Sequence, residues 1–384
     1  MVSRAPDPRA WRRVGGVLFA VGWGANHFAS LLLVYRQRLA LDPAAPAMLL
    51  GMYALGLVPG LLLAGPLSDR RGRRAVVLPS AVIALVASCT LGALGDSFVA
   101  LLLGRLLYGL GAGGVMSAGA VWVIELSSAA PAGGGPRRAT IAMSAGFGIG
   151  PLFSGLCAQY LPAPTVLAYV IHVGVLLAIL GFAWRAPDTG GGGAAGPLLR
   201  IELDRAAWWR FARGVVPMAP FVFAFPMIAF VTLPAMLGDA LGRAPMAYTG
   251  VLCAITLATG VLVQPATRRF EPATAARFGL VAGAVGIALG VVTIVTHTSV
   301  LLLVIAPILG GAYGICMTAG LQSTQRLARP EARGGITGLY YVLTYIGFAA
   351  PYLLALATRV TTPPVALAVT AGLAIAAAVT LPRA

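Results

Sequence analysis

Charge is scarce in this chain of 384 residues: only 10% of positions are charged against 59% hydrophobic, and the mean hydropathy is +0.90. Such a composition excludes water as the solvent for most of the surface. Lysine is missing altogether, so all 27 basic residues are arginine, and with 11 acids the net charge is +16. A nucleic-acid partner would need these arginines on one face of a soluble domain. Here they punctuate apolar runs of about twenty residues, which leaves anionic lipid headgroups as their partner. The cysteines Cys89, Cys157, Cys253 and Cys316 sit inside apolar runs without CxxC or Cys/His spacing, which excludes a metal or redox motif and leaves small packing residues. Acids are absent from the middle of every run; Asp96, Glu125 and Asp239 come nearest, at run ends. With two histidines and no carboxylate at depth, no acid/base pair, nucleophile or metal cluster can be assembled there. An intramembrane enzyme is therefore disfavoured, a sensor remains a minor alternative, and no metal or cofactor is expected.

What the chain has in abundance is long apolar segments. A hydrocarbon core of about 30 Å needs roughly 20 helical residues to cross it. Segments of that length fall near 14–35, 46–67, 75–95, 97–121, 139–160 and 163–184, and again near 214–237, 245–266, 277–297, 299–320, 335–357 and 363–382. The first follows Arg4, Arg9, Arg12 and Arg13 as in a signal peptide, but it is too long and lacks a small-residue cleavage site, so a retained first helix is expected. With the N-terminus inside, only Arg36, Arg38, Arg243 and Arg359 fall on outer loops and Arg105 lies within a span. All other arginines are then cytoplasmic, so the positive-inside rule selects this orientation, with both termini inside. The expected organisation is a six-helix unit over 1–184, a cytoplasmic linker over 185–213 and a second six-helix unit over 214–384. The linker opens on a glycine run at 190–193, a flexible tether, and continues with Trp208, Trp209 and Phe211 among Arg200, Arg205 and Arg210. That segment is either a short helix on the inner membrane face or an unstructured basic connector.

The halves resemble each other at an offset of about 200 residues: Gly113-Gly114-Val115-Met116-Ser117-Ala118-Gly119 answers Gly314-Ile315-Cys316-Met317-Thr318-Ala319-Gly320, and Pro151 answers Pro351. Between spans two and three stands Gly65-Pro66-Leu67-Ser68-Asp69-Arg70-Arg71-Gly72-Arg73-Arg74. Gly72 suits a tight turn and the arginines anchor the inner surface. Asp69, the acid among them, can bridge Arg73 or cap a neighbouring helix, making a latch. At every defined position this loop resembles the GxLxDRxGRR signature of the major facilitator superfamily. The resemblance implies an all-α integral membrane fold: twelve transmembrane helices in two pseudo-symmetric six-helix bundles. It also implies that Glu125, Arg137 and Arg138 join an inner charge network. Span four carries Arg105-Leu106-Leu107-Tyr108-Gly109-Leu110-Gly111, similar to the superfamily's RxxxGxG motif. Span five carries Gly146, Gly150, Pro151 and Gly155, similar to the GxxxGPxxG motif of its drug/proton antiporters, with Ser154 at the place of the last glycine and Gly155 one residue beyond it.

Export of small amphiphilic molecules is what that last resemblance implies, with alternating access as the superfamily's mode; arginine without lysine suggests a GC-rich bacterial genome and hence a bacterial plasma membrane, and a monomer is expected. The substrate/proton pathway is expected to run along Phe19, Trp23, Asn26, His27 and Ser30, which project from one side of span one. It is expected to continue through Arg105 and Tyr108 of span four and along Tyr341, Thr344, Tyr345 and Phe348 of span eleven, whose face ends at Tyr352, better explained as an interfacial anchor, with Phe221, Phe225 and Gln264 as weaker candidates. His172, on a span usually peripheral in the family, is expected to be structural. Many proton-coupled relatives use a buried carboxylate that is missing here, so coupling uses His27, a span-end acid, or no proton. Arg105 has no evident acidic partner, so its charge is answered by Asn26, Tyr108, water or an anionic substrate group. The runner-up expectation is an importer of a small anionic solute through Arg105.

Overall fold

The computed structural model describes residues 9–42, 45–128, 134–191, 203–327 and 333–382, and among them every regular element is helical. Arg4, the linker residues 192–202 (Gly192, Gly193, Leu198 and Arg200 included) and Arg329 lie outside the described residues. Among the described residues, twelve helices are long and apolar enough to cross a membrane: α1 (Ala10–Arg38), α2 (Met48–Arg71), α3 (Arg74–Ala93), α4 (Phe98–Glu125), α5 (Gly134–Tyr160), α6 (Pro164–Ala183), α7 (Arg205–Leu241), α8 (Pro245–Thr267), α9 (Pro272–Thr296), α10 (Ser299–Leu327), α11 (Gly335–Ala357) and α12 (Pro363–Thr380). In hydrocarbon each backbone N–H and C=O must be satisfied internally, which is why these runs are helices. Their outward residues are apolar: Leu55, Val99, Phe182, Leu262, Val295 and Val379 are all more than half exposed, an arrangement that lipid tolerates and water does not.

α7 begins earlier than its apolar run. Its first ten residues, Arg205–Gly214, form an amphipathic helix capped by the Asp204 carboxylate on Ala207 N–H at 2.7 Å. Phe211 and Ala207 are buried on one side, while Trp208 and Trp209 are exposed on the other. The basic connector is thus helical from Arg205 onward. Further along, Pro234 has no N–H to continue the usual ladder, and α7 widens to a π turn at Ile228–Thr232, where Leu233 N–H reaches back to Ile228 O.

The chain divides into two compact units. One comprises Met1–His27, Met52–Gly150 and Ala163–Leu198; the other comprises Phe28–Gly51, Pro151–Pro162 and Leu199–Ala384. In the first, α5 crosses α1 so closely that a Cβ on Gly146 would fall on the Phe19 carbonyl, and α4 crosses α2 where a Cβ on Gly113 would fall on the Leu57 carbonyl. In the second, Gly347 of α11 meets the Pro220 carbonyl of α7 and Gly314 of α10 meets the Gly260 carbonyl of α8 in the same manner. Each contact in one unit has a counterpart about 200 residues on in the other, the offset the motifs show. Lipid supplies no hydrophobic drive between helices, so backbone-level approach at small residues is what associates them.

Candidate functional site

In the first unit, α1, α2, α4 and α6 bring polar side chains together in the bundle interior. Trp23 Nε1 donates to His27 Nδ1 at 3.0 Å, one helical turn away. The His27 ring lies 4.9 Å from Tyr169 and 5.8 Å from His172, centre to centre, and His172 lies 6.2 Å from Tyr108. His172 Nε2 pairs with the Ala20 carbonyl at 2.9 Å and Tyr108 donates to the Val21 carbonyl at 3.0 Å. The Arg105 guanidinium lies over the Tyr53 ring, 4.4 Å from its centre, and Nη1 donates to the Ala25 carbonyl at 3.5 Å. The side chains of His27, His172, Arg105 and Tyr108 are all buried.

The expected stripe along α1 is therefore split. Trp23, His27 and Ser30 are buried, whereas Asn26 is half-exposed, as is Phe19. A helix turns 100° per residue, so Asn26 and His27, adjacent in the chain, point into different surroundings. His172, expected as a peripheral structural residue, joins the His27 cluster. Arg105 meets an aromatic face and a backbone carbonyl, the cation–π geometry that compensates a guanidinium in an apolar interior. Tyr53, which sequence reasoning missed, supplies that face; its only signal was an aromatic at depth in α2.

At the turn after α2 the same unit builds the charge network. Gly72 adopts φ +95°, a left-handed conformation open to glycine, and a Cβ there would meet the Asp188 carboxylate. Arg73 Nη1 donates to Ser68 Oγ at 2.6 Å and to Asp69, while Nη2 reaches Glu125 at 2.9 Å and Nε at 3.2 Å. Of the two roles open to Asp69, bridging Arg73 is the one observed. Burial opposes the charge on Arg73, but hydrogen bonds to Glu125 and Asp69 more than offset it and raise its pKa. The segment after α6 completes the turn: Thr189 Oγ1 donates to Glu125, Thr189 O accepts from Arg73 N at 2.9 Å, and Asp188 accepts from Arg74 N at 2.8 Å. Asp188 and Thr189 were not anticipated, because they lie in a stretch that reads as linker. Arg138 lies over Trp11, 4.5 Å from the ring centre.

The second unit carries an aromatic cluster. Phe223 of α7 stacks on Tyr345 of α11 at 4.7 Å and 12°, and touches Phe348 at 5.0 Å and Tyr313 of α10 at 5.6 Å. α11 is wound as a 3-10 turn at Ile346–Ala349 before Pro351, which places Tyr345 and Phe348 on this cluster. Thr344 donates to its own helix at Tyr341 O, 2.7 Å, and is buried, while Tyr341 sits beside Tyr340 at 5.9 Å; neither joins the stack. Phe221 and Phe225 pair with each other at 5.7 Å. Phe223 was missed because Phe221, Phe223 and Phe225 alternate along α7, and no periodicity selects the middle one. The GxxxGPxxG residues contribute to both units. Gly146 and Gly150 pack on Phe19 and Trp23 of α1; Pro151 O accepts from Ser30 Oγ at 2.7 Å, and Gly155 packs on Met246 and Gly250 of α8.

Twelve membrane-length helices with repeated glycine crossings and a charged turn after α2 define a polytopic membrane transporter. The Major Facilitator Superfamily profile matches residues 14–351, and the chain belongs to that family. The glucose transporter GlcP of Staphylococcus epidermidis is 28% identical over 114 residues, 30% of this chain and 25% of that protein, so the match spans about a quarter of the relative's length. Similar folds are a nucleoside transporter NupG variant (TM-score 0.76, 15% identity, 97% of this chain and 98% of that one) and a peptide transporter POT variant (0.79, 12%, 97% and 93%). A POT family transporter in complex with 5-aminolevulinic acid is also similar (0.78, 11%, 97% and 95%). The family and these neighbours are transporters, not enzymes.

Proposed function

We propose that the chain is a secondary active exporter of small amphiphilic molecules, built as six-helix units over 1–184 and 214–384 around a cytoplasmic linker at 185–213. It works as a monomer by alternating access in a bacterial plasma membrane, with both termini inside. The observation that carries the substrate class is the Phe223–Tyr345–Phe348–Tyr313 cluster: flat faces with two phenol hydroxyls suit a planar or apolar body bound by stacking and a few hydrogen bonds. Burial of Arg105 beneath Tyr53 weighs against an importer that meets an anionic solute through that side chain. The direction of transport follows from the likeness of Gly146, Gly150, Pro151 and Gly155 to the antiporter motif.

His27 is the group proposed to carry the coupling proton. Its Nδ1 accepts from Trp23, so protonation there turns an acceptor into a donor and forces Trp23 Nε1 to release. Titration of His27 is thereby tied to a side-chain movement on α1. The test is flux of a panel of lipophilic cations and neutral aromatics in proteoliposomes with an imposed pH gradient. Wild type is expected to concentrate at least one compound against its gradient, Phe223→Ala to lower apparent affinity about tenfold, and His27→Ala to abolish the pH response while leaving binding intact. No gradient-driven flux of any compound, with insertion confirmed, removes the export assignment; an unchanged pH response in His27→Ala removes His27.

A further inference from the structure

The second unit holds a cavity of about 180 Å3 where the Arg36 end of α1 meets α7 and α11. The π turn of α7 opens the helix at this level, so that Phe230 lines the space together with Leu32 and Met236. Three threonine hydroxyls also line it, but each donates its hydrogen to a backbone carbonyl on its own helix: Thr232 to Met227 at 3.4 Å, Thr249 to Pro245 at 2.8 Å and Thr358 to Ala355 at 2.8 Å. Arg36 is different. The residue is half-buried and its side chain makes no hydrogen bond or ion pair with any described residue, whereas Arg359, just past the end of α11, is paired with Asp42 at 3.4 Å.

We propose that this cavity is a binding site for a small aromatic monocarboxylate. The reasoning has two parts. A cavity of about 150 Å3 lined by apolar side chains accommodates benzene, so this volume holds one six-membered ring with a small substituent. The donor left over is a planar guanidinium, whose fork matches a carboxylate through two parallel hydrogen bonds and gives a neutral or cationic head nothing of equal strength. The threonines are spent and offer no competing donor. A ligand seated here touches α1, α7 and α11 together and holds these helix ends against one another. The site is separate from the Phe223 cluster and does not depend on the direction of transport.

Calorimetric titration of the purified full-length chain in detergent with benzoate, and with benzamide as the uncharged analogue of the same shape, tests the site. Benzoate is expected to bind saturably, with benzamide at least tenfold weaker. Arg36→Gln is expected to weaken benzoate at least tenfold, and Met236→Trp, which fills the cavity, to do the same. Absence of benzoate binding, or benzamide binding as tightly as benzoate, overturns the proposal on wild-type protein alone, whether or not the variants fold. Undiminished binding in a folded Arg36→Gln overturns it as well. Binding lost in Phe223→Ala but kept in Arg36→Gln moves the ligand to the aromatic cluster and likewise ends the assignment.

Discussion

Replacing Arg73 by alanine removes one side chain and strands three acceptors. Arg73 is 7% exposed, and its guanidinium bonds to Ser68 Oγ at 2.6 Å, to Asp69, and to Glu125 through Nη2 at 2.9 Å and Nε at 3.2 Å. A hydrogen bond to a charged group contributes about 1.5–3 kcal/mol net in a buried setting. Asp69, however, is 52% exposed and water solvates it readily, so its pair is held to the surface value of below about 1 kcal/mol. Glu125, at 32%, is less wet and is gripped by two nitrogens, so it carries the larger share. The expected loss for Arg73→Ala is about 2–3 kcal/mol. In SDS-driven unfolding from mixed micelles, a double-mutant cycle of Arg73→Ala with Glu125→Gln should give a coupling of about 1–2 kcal/mol, and the cycle with Asp69→Asn less than about 0.5 kcal/mol. A Glu125 coupling indistinguishable from zero, or an Asp69 coupling larger than that of Glu125, refutes the ranking. The sign of the pH dependence is also determined. The folded-state pKa of Arg73 lies above its ordinary value, so its contribution is fully present below that ordinary value and is lost only in strong alkali. Between about pH 6 and 9 the stabilisation should be flat.

Two further outcomes can be checked on the same material. Gly146→Leu drives a side chain into the Phe19 carbonyl and should eliminate the monodisperse peak in detergent chromatography, a cost above about 3 kcal/mol, whereas Gly148→Leu, with nothing within 4 Å, should elute as wild type; equal behaviour of the two contradicts the crossing. The triple substitution Arg205→Gln, Arg210→Gln, Arg213→Gln on the amphipathic start of α7 should erase the extra thermal stability that phosphatidylglycerol nanodiscs give over phosphatidylcholine, since each arginine near an anionic surface contributes about 1 kcal/mol. An unchanged lipid preference would place that helix away from the headgroups.

Fold and site differ in how far they could be read from residues alone. Hydrocarbon demands runs of about 20 apolar residues, and every arginine but Arg105 reads as lying in the breaks between them, so all twelve helices were countable; α7 alone starts well before its run, because Arg205–Gly214 is helical by amphipathic period rather than by hydropathy. The Asp69–Arg73 bridge was legible because the two stand four residues apart across a glycine turn. Its partners Asp188 and Thr189 were not, because what brings them there is the end of α6, more than a hundred residues on. Likewise a helical wheel states which residues share a face but not what that face meets. Separating His27 from Asn26 takes the rotation of α1 against α6, where Tyr169 and His172 wait.

The two units share their crossings and not their clusters, and the reason is steric. Where Gly146 meets Phe19 and Gly347 meets Pro220, the neighbour is a backbone carbonyl that no side-chain exchange can move aside, so only a missing Cβ lets the helices close. Where side chains meet side chains, one packed set can replace another of similar volume. The first unit places Trp23, His27, His172 and Arg105 in its interior, and the second places Phe223, Tyr313, Tyr345 and Phe348 on aromatic stacks. A duplicated frame thus leaves its interior free to diverge. One unit holds a buried histidine pair beside an arginine, and the other a set of stacked aromatic faces, on matched helix crossings.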